Sequence, residues 1–437
     1  MRCLSTSFFL LYFFISNSVK AQRVPGEWEP QHAIIFTWFE KNFYHDMSVD
    51  SVHLEMVENL VKENEIIINV KNNRHKKHVI SVLARNQVNM HKITFRNADF
   101  HFEFGNYPRD FGPEWIYDGK ENLSAIDMNW SYYGYLAGKS MLKKALNVPI
   151  ERYDRRIAKQ FGLKVSSKTN LVSEGGAKEF NGEGVLMVVE PTELSRNPGY
   201  SKEEIEKEYK KLFNLEKVVW LPFHTYDDEH MFTDLIGDEN EKKSVLRSAS
   251  ANGHIDEFCR FVNPTTILLA EVTEDEAQKS ELHRINKARL DACFNVLAKA
   301  TDAFGKPFTI LRMPMPEPLF FGLNDNNEIT NQVKSLRHLL NSKRLKDGTD
   351  IGKVNDLKIL PALSYCNFSI ANGVVLSSAY WQEGLPEMIK QKDKASFEIL
   401  KKAFPNREVV QIMTLAINFN GGGLHCNTRH IPKFRYE

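Results

Sequence analysis

The amino-acid sequence predicts an α/β fold made of about five similar strand–helix–strand units, arranged radially or in a stack. Four times the chain gives an apolar strand, a tight-turn signal and a second apolar strand. After most of these hairpins comes a charged amphipathic helix and then one more buried strand. A unit that cannot bury its own apolar face must pack against its neighbours, which favours such repetition. An ordinary α/β sheet protein is the alternative that these patterns leave open.

The opening segment supplies the first unit. Apolar runs at 33–38, 65–70 and 92–96 predict three strands. A helix is expected near 51–63, and a second helix is expected between the last two strands. This alternation is the strand–helix–strand order that recurs later in the chain.

Four hairpins follow, and their turns carry clear local signals. Asp118-Gly119, Asn181-Gly182 and Asn372-Gly373 each separate two apolar strands, and such dipeptides are typical of tight hairpin turns. Asn263-Pro264 occupies the same place in the third hairpin. The predicted strand pairs are 113–117 with 123–130, 177–180 with 185–189, 257–262 with 266–272, and 365–370 with 374–381.

A helix and a further strand complete most of these units. The predicted pairs are 201–213 with 217–222, 274–304 with 307–313, and 386–404 with 408–413. Two long polar stretches, 227–250 and 323–350, are interpreted as surface insertions, and loops of this length more often gate a site than build a core. No low-complexity linker divides the chain, so residues 23–437 are predicted to form a single domain.

The first 22 residues predict a secretory signal peptide. Arg2 is followed by an apolar run at 8–15 and by Val19-Lys20-Ala21, which has the character of a small-residue cleavage site. No later run approaches the ~18 apolar residues that a membrane span needs. The mature chain is therefore expected to be secreted or periplasmic, with no membrane as its partner.

Charge and cysteine content narrow the choice of partners. The 57 basic and 56 acidic residues nearly cancel, so nothing predicts a nucleic acid as a partner, and a homo-oligomer is left open. Signal cleavage removes Cys3 and leaves Cys259, Cys293, Cys366 and Cys426. Two disulfides are one interpretation of these four residues in an oxidising compartment, although a large core does not need them.

Cys426 is the candidate nucleophile. Three glycines, 421–423, precede it and permit a close approach of ligand to backbone. The residue stands between His425 and Asn427, which is an unusual setting for a core cysteine. A thiol attacks as its thiolate, which requires a nearby base or positive charge.

Acids and bases that could meet this thiol lie where the hairpins begin. His254 and Asp256 are two residues apart in a segment that leads into a predicted strand, so both should face one side while Ile255 faces the core. A histidine beside a carboxylate suits general acid–base catalysis. Asp110 and Glu174 precede two other hairpins, and polar motifs at equivalent positions of a radial repeat would converge on its axis.

Each of these residues also has an ordinary structural interpretation. A histidine such as His254 is more often a hydrogen-bonded structural residue, and Asp110 and Glu174 could be a turn former and a surface acid. Taken together, three carboxylates, one histidine and one thiol match a planar cation such as a guanidinium, because carboxylates accept paired hydrogen bonds from it. The thiolate would then attack the electrophilic carbon of that cation.

A metal site is the competing chemical class. The candidate ligands are His224, Asp227, Asp228, Glu229 and His230 in one set, and His425, Cys426 and His430 in another. Neither set has the Cys-x-x-Cys or His-Glu-x-x-His spacing of a tight metal template. The residue types and their spacing therefore do not favour a catalytic metal.

Seven short motifs occur in one order between Val24 and Pro432. They are Pro25-Gly-Glu-Trp-Glu-Pro30, Arg109-Asp-Phe-Gly-Pro113, Glu174-Gly-Gly176, Asn181-Gly-Glu-Gly184, Arg196-Asn-Pro198, Gly253-His-Ile-Asp256 and Gly421-Gly-Gly-Leu-His-Cys426. This ordered set resembles the agmatine deiminase family, which also contains the Porphyromonas-type peptidylarginine deiminases. Any one motif is weak, whereas the ordered combination over nearly the whole mature chain is specific.

The resemblance implies the five-bladed α/β propeller of the guanidine-modifying (pentein) enzymes, in agreement with the five units. The implied site consists of Cys426 as nucleophile, His254 as acid and base, Glu174 as the residue that orients His254, Asp110 and Asp256 as guanidinium ligands, and Tyr107 and Arg109 as further substrate-binding residues. The implied reaction passes through a covalent thiouronium intermediate to a ureido product, without a cofactor.

The substrate is the least determined part of this interpretation. The motifs favour agmatine, which would give N-carbamoylputrescine and ammonia, while export favours peptidyl or free arginine, which would give citrulline. A substrate carboxylate would need a cationic partner, and Arg152, Arg155 and Arg156 are candidates. Tyr107 stands where the family commonly has Trp, and Ala251-Asn252 stand where it often has acidic or Thr residues.

Two further hypotheses come from other classes. One is a catalytically inactive secreted binding protein on the same scaffold, and the filled chemical positions argue against it. The other is a metal-dependent amidohydrolase, which predicts loss of activity on chelation. Insertions are expected at 130–156 and 227–250 relative to the family.

Overall fold

The computed structural model describes residues 22–40, 48–98, 107–135, 150–238, 240–248, 250–323 and 344–435. The predicted signal peptide, residues 1–22, lies outside these ranges apart from Gln22, as do parts of the predicted insertions. Among the helices within these ranges, none combines the length and the apolar character that crossing a bilayer requires.

Twenty strands alternate with helices along these ranges. The strands are β1 (Gln31–Thr37), β2 (Glu65–Val70), β3 (Ile93–Asn97), β4 (Glu114–Tyr117), β5 (Leu123–Asn129), β6 (Lys164–Val172), β7 (Lys178–Phe180), β8 (Val185–Val189), β9 (Lys217–Leu221), β10 (Ile236–Gly237), β11 (Lys243–Arg247), β12 (Cys259–Asn263), β13 (Thr266–Glu271), β14 (Thr309–Pro314), β15 (Phe321–Gly322), β16 (Lys358–Leu360), β17 (Ser369–Ile370), β18 (Val374–Ala379), β19 (Glu408–Met413) and β20 (Thr428–Pro432). The helices are α1 (Val49–Leu60), α2 (Asn73–Arg85), α3 (Pro108–Phe111), α4 (Tyr153–Gln160), α5 (Glu190–Arg196), α6 (Lys202–Phe213), α7 (Glu274–Ala277), α8 (Glu281–Leu297), α9 (Glu387–Ala403) and α10 (Leu415–Asn418). The molecule is therefore a mixed α/β protein.

Four sheets share one plan, in which an antiparallel hairpin leads through a helical segment to a parallel third strand. Their strand orders are β4–β5–β6, β7–β8–β9, β12–β13–β14 and β17–β18–β19. The first two strands of each sheet are antiparallel and the last two are parallel. All four hairpins predicted from the sequence are confirmed.

The second hairpin shows why the turn signals worked. The Asn181 side chain accepts hydrogen bonds from the backbone N–H of Glu183 at 2.9 Å and of Val185 at 2.8 Å. Gly182 has a φ of 75°, a left-handed conformation that glycine adopts without steric cost. Asparagine and glycine thus close the turn that joins β7 to β8.

A fifth sheet joins the two ends of the described chain. Its order is β20–β1–β2–β3, with β1 antiparallel to β20 and parallel to β2. It repeats the plan of the other four with two differences: β20 and β1 replace the two strands of a local hairpin, and β3 adds a second parallel strand beyond β2. The predicted opening unit is confirmed, with helices α1 and α2 between its strands.

A sixth sheet corrects the interpretation of the first polar stretch, 227–250, as a surface insertion. Residues 324–343 of the second stretch lie outside the described residues, so its interpretation stays a prediction. Strands β10 and β11 come from the first stretch, where β10 pairs with β11 and β11 pairs with β16. Strand β16 also pairs with β15, and these two strands flank the second stretch. Val245 and Leu246 are fully buried there. Their neighbour Arg247 is buried too, because it donates to the Asp234 carboxylate at 2.8 Å and to the Tyr226 carbonyl at 2.9 Å. Paired charge allowed a polar sequence to form interior structure.

Two further differences concern helices. The helix predicted over 274–304 is divided into α7 and α8, because Ser280 caps a new helix by accepting the N–H of His283. Helix α4 and strand β6, which complete the first hairpin sheet, were not predicted, because β6 is polar and largely exposed. Cys259, Cys293, Cys366 and Cys426 are buried free thiols, so the two-disulfide interpretation is wrong for the structure.

Candidate active site

Four polar segments meet in the interior of the molecule. Helix α3 carries Asp110, the residues before β7 carry Glu174, the residues before β12 carry His254 and Asp256, and the loop before β20 carries Cys426. All five side chains are buried. The sequence-based prediction that these segments converge is confirmed by the distances between them.

His254 lies among three carboxylates. Its Nδ1 is 3.5 Å from Asp110 Oδ1 and 3.9 Å from Asp256 Oδ1, and its Nε2 is 3.6 Å from Glu174 Oε2. Burial alone would lower the pKa of His254, but the three carboxylates together raise it to about 9. At neutral pH this imidazole therefore carries a proton that it can give to a leaving group.

The segment that carries His254 forms a short turn before β12. Residues Ile255–Glu257 form a short 3-10 turn, which the Asp228 carboxylate fixes by accepting the N–H of Gly253 at 3.0 Å and of His254 at 2.8 Å. His254 and Asp256 nevertheless face the same site, and Ile255 is fully buried in the core. The predicted facing is confirmed, and the segment leads into β12 as expected, although β12 begins two residues later than the predicted strand.

Glu174 is held by an ion pair with Arg196. Both oxygens of Glu174 lie 3.1 Å from Arg196 Nε, and both side chains are fully buried. Burial favours the neutral acid, but Arg196 and His254 outweigh it and lower the pKa of Glu174 to about 2. Arg196 also donates to the carbonyls of Ala251 at 3.0 Å and Asn252 at 3.1 Å, which anchors the segment that precedes His254.

The two remaining carboxylates differ in how they are held. Asp110 accepts the N–H of Gly176 at 3.0 Å on one oxygen and the hydroxyl of Tyr133 at 2.8 Å on the other, and burial raises its pKa to about 6. Asp256 Oδ2 lies 2.6 Å from His425 Nδ1. Its Oδ1 is buried and has no hydrogen-bond partner among the described residues. Such an atom is a vacant acceptor for a cationic ligand.

Gly176 leaves the space that these groups enclose. A Cβ atom at this residue would lie 2.6 Å from His254 Nδ1, 2.8 Å from Asp110 Oδ1 and 2.9 Å from Asp256 Oδ2. Only glycine lets these three polar atoms come together without a clash. The backbone of the Gly175–Ala177 turn thus forms one wall of the site.

Cys426 presents its thiol to the same space. Its Sγ lies 3.1 Å from Asn367 Nδ2, 3.5 Å from Glu257 Oε1 and 3.6 Å from Asp256 Oδ2. Burial, followed by Asp256 and Glu257, raises the pKa of Cys426 well above its ordinary value. Burial and the surrounding carboxylates therefore favour the protonated thiol.

Sequence reasoning missed Asn367. Its Oδ1 accepts the N–H of His425 at 3.0 Å and of Cys426 at 3.2 Å, and its Nδ2 donates to Glu257 at 3.1 Å. This residue precedes β17, the first strand of the fourth hairpin. Because the other hairpins each begin with a catalytic-type motif, the position of Asn367 was the signal that could have found it.

Two predicted substrate-binding residues have protein partners in this structure. The Arg109 guanidinium pairs with Glu27 and lies 2.8 Å from His430 Nδ1, and its backbone N–H donates to the Cys426 carbonyl at 3.3 Å. These contacts fix the loop that carries the thiol. Tyr107 is buried, with its ring edge-on to Phe39 at 5.5 Å and beside Gly422. Their contact with substrate stays a prediction.

The same geometry bears on the metal-site alternative. Among the described residues, the group whose ligand atoms lie within 4.8 Å of one another is Asp256, Glu257 and Cys426. This group matches neither set proposed from the sequence. His425 and His430 are engaged with Asp256 and Arg109 instead.

Known proteins are similar to this chain over nearly its whole length. The family model described as Porphyromonas-type peptidyl-arginine deiminase matches residues 23–238 and 242–432. A protein named putative agmatine deiminase 2, from Listeria monocytogenes, is 26% identical over 94% of this chain and 95% of its own length. An agmatine deiminase from Pseudomonas aeruginosa is also 26% identical, over 94% of this chain and 95% of its own length.

A solved structure shows that the fold is shared as well. The agmatine deiminase of Enterococcus faecalis superimposes with a TM-score of 0.68 at 20% identity, over 95% of this chain and 97% of that chain. At this identity the likeness concerns the fold alone. The family match, in contrast, covers nearly all of residues 23–432. The chain belongs to the Porphyromonas-type peptidyl-arginine deiminase family.

Proposed function

We propose that this protein is a guanidine deiminase that hydrolyses agmatine to N-carbamoylputrescine and ammonia. The observation that carries the proposal is the convergence of Asp110, Glu174 and Asp256 on His254, beside the thiol of Cys426. Relatives at 26% identity over nearly the full chain carry the name agmatine deiminase. Buried carboxylates of this number suit a substrate that brings positive charge.

Binding would begin with the guanidinium between the two aspartates. Asp256 Oδ1 has an acceptor position to offer, and Asp110 has one on each oxygen beyond its bonds to Gly176 and Tyr133. The bound cation lowers the pKa of Cys426, and the thiol releases its proton to bulk water, where it balances the ammonia formed later as ammonium. Charge-assisted hydrogen bonds hold the planar group so that its carbon faces Sγ.

The chemistry then proceeds in two halves. Cys426 Sγ bonds to the guanidinium carbon, the protonated His254 gives its proton to one amino group, and the C–N bond breaks to release ammonia. The enzyme-bound product is a thiouronium. His254, now neutral, takes a proton from water, and the hydroxide adds to the same carbon. The C–S bond breaks, the ureido product leaves, and the proton of the added hydroxyl restores the thiol.

Local charge favours agmatine over arginine as the substrate. The far end of agmatine is an ammonium, whereas that of arginine is a carboxylate that needs a cation. In the described part of the site, Arg196 is paired with Glu174 and Arg109 with Glu27. Arg155, one of the predicted carboxylate partners, pairs with Asp127 at 3.2 Å.

Fold and compartment enter the proposal as well. Five sheets of one plan, with polar motifs that converge from their first strands, support a single five-bladed propeller domain over residues 23–437. The apolar run at 8–15 and the small-residue site that ends at Ala21 support cleavage and export to the periplasm or the medium. The reaction would then take place on external agmatine.

The test is ureido-product formation by the purified protein. Agmatine, free arginine and a peptide that ends in arginine are compared, with and without prior exhaustive chelation. We expect product from agmatine, unaffected by chelation. Product from the peptide or from arginine alone would replace agmatine as the substrate. No product from any of the three with reduced, folded protein would leave the inactive binding protein as the better hypothesis.

A further inference from the structure

Residues 130–135 form a strap that lies against the catalytic groups and that the reaction scheme leaves without a role. Tyr132, Tyr133 and Gly134 have successive φ angles of 49°, 55° and 75°. This left-handed region is unfavourable for a tyrosine, because its Cβ crowds the backbone. Such conformations persist only where the surroundings enforce them, and they concentrate at functional sites.

Contacts on both sides enforce this conformation. Asn252 Nδ2 donates to the Tyr133 carbonyl at 2.8 Å, and the Tyr135 hydroxyl donates to the Ser250 carbonyl at 3.1 Å. The Trp130 ring packs edge-to-face against Tyr133 with centroids 5.0 Å apart. The strap is thus fastened to the segment that immediately precedes His254.

The Tyr133 side chain reaches the guanidinium site from this strap. Its hydroxyl donates to Asp110 Oδ2 at 2.8 Å, and its ring centroid is 5.5 Å from that of His254. The other oxygen of Asp110 accepts the N–H of Gly176. The terminal torsion of an aspartate is otherwise loosely restrained, so one donor on each oxygen fixes the plane of this carboxylate.

We infer that Tyr133 is a positioning residue for the substrate: its hydroxyl orients Asp110 so that both carboxylate oxygens can accept from a guanidinium. The inference rests on the proposed function, since Asp110 has this role only if a guanidinium binds. Each carboxylate oxygen has about two acceptor positions, so one on each remains for the substrate. The strained backbone of the strap places the Tyr133 hydroxyl within hydrogen-bond distance of Asp110.

The same hydrogen bond affects the ionisation of Asp110. The titratable groups around this carboxylate are His254, Asp256, Glu174, Cys426, Tyr107 and Tyr133. Burial raises the pKa of Tyr133 well above its ordinary value, so its hydroxyl stays a donor. A donor stabilises the ionised carboxylate and opposes the effect of burial on the pKa of Asp110. Loss of the hydroxyl should therefore raise that pKa further.

The test is the substitution Tyr133→Phe, which removes one oxygen and keeps the ring. We expect KM for agmatine to rise roughly tenfold, kcat to change less, and the acid limb of kcat/KM to move up by about half a unit or more. Tyr132→Phe is the matched control, because it removes a buried hydroxyl from the same left-handed strap without touching Asp110. It should leave both KM and the acid limb in place.

Binding separates this inference from the proposed function. Agmatine affinity is measured by calorimetry in Cys426→Ala and in Cys426→Ala with Tyr133→Phe, where we expect a roughly tenfold weaker complex in the double variant. If Tyr133→Phe matches the unsubstituted enzyme in KM, acid limb and affinity, the inference is wrong while the deiminase function stands. Equal shifts from Tyr132→Phe would also overturn it. An unsubstituted enzyme that neither binds nor turns over agmatine would overturn the function itself.

Discussion

Among single residues, Cys426 and His254 show how neighbouring carboxylates raise the pKa of a thiol and of an imidazole alike, with different consequences for reactivity. Burial together with Asp256 and Glu257 raises the pKa of the Cys426 thiol, which keeps it protonated and unreactive. The carboxylates around His254 raise the pKa of the imidazole to about 9, which keeps it ready to donate. In the proposed mechanism the substrate cation lowers the pKa of the thiol and so generates the thiolate, and we therefore expect that a neutral guanidine analogue is not attacked.

The pH dependence of activity follows from Asp110 and His254. Asp110 must be ionised to bind a guanidinium, and with a pKa of about 6 its contribution is lost as the pH falls through that value. His254 must be protonated to release ammonia, and with a pKa of about 9 its contribution is lost as the pH rises through that value. We expect a bell-shaped profile of kcat/KM between these limits. Because the two groups face each other at 3.5 Å, the measured values belong to the pair.

A profile that keeps rising above pH 9 would contradict the role of His254 as the acid. One that stays flat below pH 6 would contradict the binding role of Asp110. The profile is measured on agmatine at saturating and at low concentration, so that effects on free enzyme and on complex are separated.

Replacement of the nucleophile should abolish turnover while leaving the fold in place. Cys426→Ser should lower kcat by roughly four orders of magnitude or more, because a neutral hydroxyl is not activated by a nearby cation as a thiol is. Cys293→Ser is the matched control, since Cys293 is also a buried free thiol. It lies in helix α8, with its Sγ 3.2 Å from the Phe223 carbonyl. Its activity per folded molecule should be retained. Comparable losses of activity in both variants would contradict the assignment of Cys426 as the nucleophile.

Among the elements, the short turns before the hairpins matter more for the site than the strands do. The Gly175–Ala177 turn forms the wall beside the aspartates, and the Ile255–Glu257 turn presents His254 and Asp256. The sheets hold these turns at fixed separations through backbone pairing. Loop residues that stand on a rigid scaffold are the usual carriers of catalysis.

The role of the Gly175–Ala177 turn as a wall of the site can be tested by a substitution that adds one methyl group. Gly176→Ala places a Cβ 2.6 Å from His254 Nδ1, so the catalytic groups must move apart. We expect activity to fall by roughly a hundredfold or more, as displacements near 1 Å produce losses of that size. Gly322→Ala is the control, because a Cβ there meets no atom of the described residues within 4 Å. Agmatine turnover and circular dichroism are measured for both, and an active Gly176→Ala enzyme would contradict this geometry.

Element by element, the sequence was informative where structure is local. Asn181 and Gly182 predict their hairpin correctly because the turn is closed by hydrogen bonds within a few residues. The buried strand β11 was not predicted from the sequence. Its polar residue Arg247 is stabilised by hydrogen bonds to Tyr226 and Asp234, which form only when the chain folds. The hydrophobic periodicity of a short sequence window carries no information on such distant pairings.

The same limit applies to the site. Cys426, His254, Asp256, Asp110 and Glu174 stand in motifs that the sequence displays, and the structure brings them together. Tyr133 and Asn367 stand in no such motif, and their roles depend on contacts with residues 23 and 59 positions away. Short motifs identify groups that act on substrate more readily than groups that orient them.

For the molecule as a whole, the two ends of the described chain are structurally adjacent. Strand β20 follows the catalytic loop and pairs with β1, the first strand. Glu27, which stands just before β1, pairs with Arg260 of β12 and lies 2.9 Å from His425 Nε2. The N-terminal segment thus contacts the loop that carries the thiol. Pairing of β20 with β1 and formation of the site are therefore coupled.

This coupling predicts the effect of a core substitution in β20. Ile431 is fully buried between β1 and the first hairpin sheet. Ile431→Ala should lower the free energy of unfolding by about 2–5 kcal/mol, and Ile431→Val by about 1 kcal/mol. For a single domain, far-UV circular dichroism and tryptophan fluorescence should shift together in denaturant. Two separated transitions would contradict the single-domain prediction for residues 23–437.

The most direct measurement of the central claim is the mass of the intact enzyme during turnover. The protein is mixed with agmatine, quenched in acid and analysed by mass spectrometry, with Cys426→Ser as the control. We expect a transient species heavier than the free enzyme by agmatine less ammonia, located on the peptide that carries Cys426 and lacking in the control. Product formation with no such species, or with the added mass on another residue, would contradict covalent catalysis by Cys426.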